Sequence, residues 1–158
     1  MTASNPVESL ALAKAMRESL WLYPSVEIVH IFGFVILVGT VVMFDLRVLG
    51  LSKQIPVRAL ARHLLPWSLA ALLLIVPSGL AMFAAHAGDF LNNRAFQLKM
   101  ALLLAAGMNA AFFHTGPYQT VKGWDTNATA PALAQLSVAL SIVIWIGIIS
   151  CGRLLAYL

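Results

Sequence analysis

Val26–Gly50 reads VEIVHIFGFVILVGTVVMFDLRVLG. From Ile28 to Phe44, only His30 and Thr40 are neither apolar nor glycine. That length is close to the ~17–25 residues with which a helix crosses ~30 Å of hydrocarbon. Three more apolar runs follow, near residues 64–85, 100–113 and 132–150. The 158-residue chain is 61% hydrophobic and 10% charged, with a mean hydropathy of +0.88. A soluble domain carries roughly 25% charged residues, so an ordinary soluble globule is excluded. A disordered chain and a disulfide scaffold are excluded as well. The expectation is an all-α, integral membrane four-helix bundle, a single membrane domain over residues 1–158. Its spans fall at about 26–49, 63–86, 95–115 and 131–157.

Residues 6–23 before the first span read as an N-terminal amphipathic helix lying on the membrane surface. Asn5 is its expected N-cap with Pro6 at N1. Leu10, Ala13, Met16 and Leu20 recur at helical spacing, whereas Lys14, Arg17 and Glu18 share another face. Trp21 and Tyr23 suit the headgroup zone, and Pro24 is expected to end the helix. Lys14, Arg17 and Glu18 also interrupt this early apolar stretch, which does not read as a signal peptide. Polar loops are expected around Ser52–Pro56, from Ala87 to Asn93, and over Gly116–Ala130.

The formal charge of +4 comes from basic residues spread over span ends, where they anchor helices to headgroups, so no nucleic-acid partner is expected. The face of the membrane that carries the N-terminus is called side A, the opposite face side B. Lys14, Arg17, Arg94, Lys99 and Arg153 fall on side A; Arg47, Lys53, Arg58, Arg62 and Lys122 fall on side B. The first loop is the densest basic cluster, which makes side B the expected cytoplasmic side and both termini periplasmic. Cys151 is the sole cysteine, so neither an internal disulfide nor a CxxCH heme attachment is available.

The four histidines are the candidate functional residues. An ionisable side chain at membrane depth is costly and marks a functional site by default. His30 opens span one and His86 closes span two on side A; His63 opens span two and His114 closes span three on side B. They form two depth-matched pairs, each from two helices, as bis-imidazole ligation of heme b in a bundle requires. Small residues flank them: Gly33 after His30, Gly79 before His86, Gly107 and Ala110 before His114. Arg58 and Arg62 on side B, with Arg94 and Lys99 on side A, are available to heme propionates. The bland reading is that each histidine only anchors a helix end, and that Lys99 snorkels. His63 and His86 are 23 residues apart, ~35 Å along one helix, so two such sites lie near opposite interfaces. If one heme binds, His30 with His86 is the expected pair, and His63 is a plain interfacial residue. Asn109 is expected to bond between helices, and Asp45 with Arg47 to form an interfacial pair.

Val26–Gly50, with Glu27, His30, Gly33, Gly39, Arg47 and Leu49, resembles the first span of a bacterial superfamily of small four-helix membrane proteins. That superfamily includes copper-resistance protein D, HemJ-type protoporphyrinogen oxidases and the membrane part of a cytochrome-linked urate oxidase. Phe96–His114, with Lys99, Leu102, Leu103 and His114, is similar to its third span. The resemblance implies a b-type heme bundle of the bacterial inner membrane, with His30 and His114 as heme-linked positions.

The expected function is therefore that of a membrane b-type cytochrome. It would bind one or two hemes by bis-histidine ligation and pass electrons between a quinone and a partner redox protein. The alternatives are a copper-handling membrane protein, although Met43, Met82, Met100 and Met108 form no MxxM cluster, and a HemJ-like tetrapyrrole oxidase with Lys99 near its substrate. Membrane lipid is an expected partner, and the exposed surface of four short helices leaves room for a homo-oligomer.

Overall fold

The computed structural model describes residues 6–155 and Tyr157, so Asn5 lies outside the described residues. A 3-10 turn at Pro6–Ser9 leads into α1 (Ala11–Glu18), α2 (Leu22–Leu49), α3 (Val57–Ala85), α4 (Ala87–Asn92) and α5 (Arg94–Thr115). A 3-10 segment, Pro117–Gly123, then precedes α6 (Ala132–Leu154). Helices α2, α3, α5 and α6 are each long and apolar enough to cross a membrane. The chain is an all-α, multi-pass membrane bundle.

Packing follows chain order. α2 lies along α3, α5 lies along α6, and the two hairpins meet through α2 and α6. Beyond Phe83 stacked on Phe96 at 5.6 Å toward side A, α3 and α5 make no extended contact, which leaves a cleft between them toward side B. Leu37, Ala71, Ile144, Trp145 and Ile148 form a core at mid-depth; a second core, with Val48, Val57, Phe113, Trp124 and Val138, lies under the side-B loops. Polar side chains in the spans bond across to a neighbour, because hydrocarbon offers them nothing else. Thr40 of α2 meets Ser68 of α3 at 2.8 Å. Asn109 of α5 donates to the Ser137 carbonyl and accepts from its hydroxyl, both at 2.9 Å, as expected for an interhelical bond.

The N-terminal segment differs from the expected single surface helix. It breaks after Ser9 and again after Glu18. Pro24 does not end a helix but stands in the first turn of α2, where its missing N–H removes no intrahelical bond. The Ser19 hydroxyl accepts from the Leu22 N–H just before that turn. α1 buries Ala13 and Met16 and is docked on protein at the side-A end of α3. Arg17 donates to the Ala85 carbonyl at 2.9 Å, and Glu8 accepts from the Gly88 N–H at 2.7 Å. A cation thus sits on the last turn of α3 and a carboxylate on the first turn of α4, the signs that helix ends favour. α3 starts at Val57, ahead of the expected 63, and runs through both Pro66 and Pro77.

Arg47 departs furthest from expectation. It is 3% exposed and does not pair with Asp45, which is two residues away and on another face of α2. Its guanidinium donates to three carbonyls: Ile55 at 2.6 Å, Lys53 at 3.0 Å and Asp125 at 2.9 Å. Two different loops are thereby held to the end of one helix. α2 itself stops at Gly50, whose φ of +114° is a left-handed conformation that glycine adopts without a Cβ penalty. Replacing Arg47 by Leu strands three carbonyls, so the variant is expected to lose about 2–4 kcal/mol. A fall in melting temperature of the detergent-solubilised protein checks this, with Arg47→Lys intermediate.

Candidate functional site

His30 lies eight residues into α2, ~12 Å from its side-A end. Its Nδ1 is 3.0 Å from the Ser78 hydroxyl and 3.2 Å from the Ile75 carbonyl, both on α3. The Ser78 proton is committed to the Leu74 carbonyl at 2.5 Å, so serine offers the imidazole lone pairs, and a carbonyl can only accept. The network therefore assigns the proton to Nδ1, and in the neutral ring Nε2 carries the free lone pair. Nε2 has no hydrogen-bond partner among the described residues. The ring rests against Gly79, where an added Cβ would come within 3.1 Å of Cε1. Glycine there lets the Nδ1–Cε1 edge seat on α3, which turns the Nε2 edge away from that helix.

The other two long helices reach the same level. Lys99 of α5 is half-buried and is a charged neighbour of His30, together with Glu27. Its Nζ lies 3.7 Å from where a Cβ on Gly152 of α6 would stand, beside the buried Cys151 thiol. Lys99 thus turns into the bundle instead of snorkelling to headgroups. His30, Ser78, Lys99 and Cys151 bring all four long helices together in the side-A third of the protein.

The remaining sites read from sequence are dispersed. His86 ends α3, with its ring edge-on to Tyr23 at 5.6 Å and Nδ1 4.0 Å from an Asp89 oxygen. It stands seven residues beyond Gly79, ~10 Å further along the axis than His30, and α2 and α3 are in direct contact between them. His30 and His86 are therefore not facing ligands. His63 is exposed in a shallow depression with Ala59 and Arg62. His114, edge-on to Tyr118 at 5.4 Å, opens into a separate pocket with Arg58, Ala61, Arg62 and Leu65. This pair shares a depth but not an azimuth. Arg94 is exposed at the first turn of α5, on side A with Lys99. His30 and His86 share the side-A half and His63 and His114 the side-B half, but the ~10 Å axial offset of the first pair and the separate openings of the second leave the expected bis-imidazole geometry unbuilt within one chain.

Sequence reasoning misses Ser78 and the burial of Asp45 between helices. Asp45 is 4% exposed and faces Ser141 of α6, and its Oδ2 has no partner among the described residues. The Pro77-Ser78-Gly79 run inside an apolar span is the one signal that could have flagged Ser78. No group of three or more His, Cys, Asp or Glu is placed to hold a metal ion among the described residues.

A family of unknown function (DUF6644) matches residues 22–158, from the first residue of α2 onward. No curated protein and no solved structure matches the chain.

The tautomer is directly measurable. Two-bond 1H–15N correlation spectra of the labelled protein are expected to report His30 with Nδ1 protonated. In Gly79→Val, the displaced ring is expected to lose that signature.

Proposed function

The chain belongs to the DUF6644 family, and we propose that it is a membrane b-type heme protein in which His30 would hold the heme through Nε2. Its role is to carry electrons between a quinone and a partner redox protein. One observation carries this reading: Nδ1 of His30 is tied to the Ile75 carbonyl and Ser78, leaving Nε2 as the donor nitrogen. Ligating histidines are held this way, with the second nitrogen donating to a carbonyl or carboxylate that fixes ring orientation and raises ligand basicity.

Two further features around His30 support the reading. Gly79 leaves the ring its seat, and Lys99 supplies a half-buried cation to which a propionate can bond. When bound, the heme supplies one-electron redox chemistry. His30 would hold the group, and Ser78 and Ile75 keep the imidazole in one tautomer. Lys99 offsets a propionate charge that would otherwise be costly at this depth. The positions of His63, His86 and His114 favour one heme with one histidine ligand from this set over two bis-histidine hemes.

The test is a dithionite-reduced minus oxidised spectrum of the purified protein, with pyridine hemochrome and copper content. One b-type heme per chain is expected. His30→Ala should abolish it, while His63→Ala and His86→Ala should retain it. A colourless protein that fails to take up hemin overturns the reading, and copper in place of heme favours the copper-handling alternative.

A further inference from the structure

The end of the bundle remote from His30 holds two arginines that the proposed heme site does not use. Arg58 and Arg62 stand one turn apart at the start of α3, both exposed, and neither guanidinium has an ion-pair partner among the described residues. The nearest acid, Asp125, directs its carboxylate to the Arg58 backbone N–H at 2.8 Å and so caps α3. With His114 and Tyr118 across from them, the arginines rim a pocket of about 370 Å³ whose apolar wall is Ala61 and Leu65. It opens at the side-B end of the cleft between α3 and α5. Leu65, Leu69 and Leu72 recur on α3 below the arginines and are exposed. On α5, Ala110 and Gly107 continue the His114 face, and a Cβ on Gly107 would meet nothing within 4 Å.

We propose that this pocket binds an anionic phospholipid, its phosphate between Arg58 and Arg62 and an acyl chain along the α3–α5 cleft. Charge complementarity selects the headgroup: guanidinium forks pair with phosphate oxygens, and His114 and Tyr118 add donors at headgroup depth. The continuity of the pocket with an apolar cleft selects a lipid over a free anion. Inorganic phosphate would satisfy the arginines but leave the cleft unfilled, whereas one phospholipid satisfies both.

Delipidated full-length protein in detergent, titrated separately with phosphatidylglycerol and phosphatidylcholine, gives the test, with retained lipid counted by native mass spectrometry. Wild type is expected to keep phosphatidylglycerol roughly tenfold better than phosphatidylcholine, from two arginines near the surface. Arg58→Gln/Arg62→Gln should erase that preference with an unchanged melting temperature in phosphatidylcholine. Gly107→Leu, which fills open space, should lower retention without touching the headgroup contacts. Equal retention of the two lipids by wild type overturns the proposal, as does an unaltered preference in the double variant. Displacement of phosphatidylglycerol by millimolar inorganic phosphate would make this an anion site and overturn it too. The outcome is separable from the heme reading, because His30→Ala should leave the lipid preference intact.

Discussion

Arg47 is the constraint from which the side-B architecture follows. A guanidinium removed from water must have its N–H groups engaged, and loop carbonyls at a membrane interface must have donors. Here each need meets the other, with carbonyls from residues 53, 55 and 125 closing on one side chain. Around that knot the Val57 N–H donates to the Asp125 carbonyl, and the Asn127 N–H donates to the Lys53 carbonyl, both at 2.9 Å. The loops α2–α3 and α5–α6 become one hydrogen-bonded layer. That layer sets where α3 begins and roofs the core of Val48, Val57, Phe113 and Trp124.

Below it, a few polar pairs fix how the helices stand against one another. Apolar side chains slide over each other at little cost in lipid, whereas a hydroxyl or amide bonds well at one register. Thr40 with Ser68, His30 with Ser78, and Asn109 with Ser137 are such pins. Asp45 is the exception among them: it faces Ser141 but leaves one carboxylate oxygen without a partner. The His30 pin differs from the others in kind, because locking one ring nitrogen leaves the second with a defined lone pair. The contact that pins α2 to α3 there also fixes which ring nitrogen is left free.

The fold class and the four spans are legible in the sequence because apolar length is the signal that hydrocarbon imposes. The start of α3 is not, since Arg58, Arg62 and His63 resemble a polar loop when they are the interfacial turns of a long helix. The end of the bundle to which each histidine belongs is legible too, whereas its depth is not: His30 and His86 stand ~10 Å apart along the axis. Azimuth is not, because a helix that is apolar on all sides has no periodic pattern from which to read its facing side; His63 and His114 turn into different depressions for that reason. The charge pairing of Asp45 and Arg47 fails on the same count: two residues along a helix are ~200° apart. Ser78 stays hidden because a single hydroxyl in an apolar run satisfies itself on the preceding turn as readily as it meets a partner.

The division into two hairpins bears on how such a chain is made. Each hairpin contains its own polar pins: Thr40–Ser68 and His30–Ser78 in the first, Asn109–Ser137 in the second. Each can therefore complete its internal hydrogen bonding as it leaves the ribosome and enters the bilayer, before the rest of the chain exists. What joins the hairpins is mainly apolar contact between α2 and α6, such as Phe34 against Trp145, followed by the closing of Arg47 on Asp125. Biogenesis can then proceed as two independent insertions and one late docking step, in which Asp45 of the first hairpin meets Ser141 of the second.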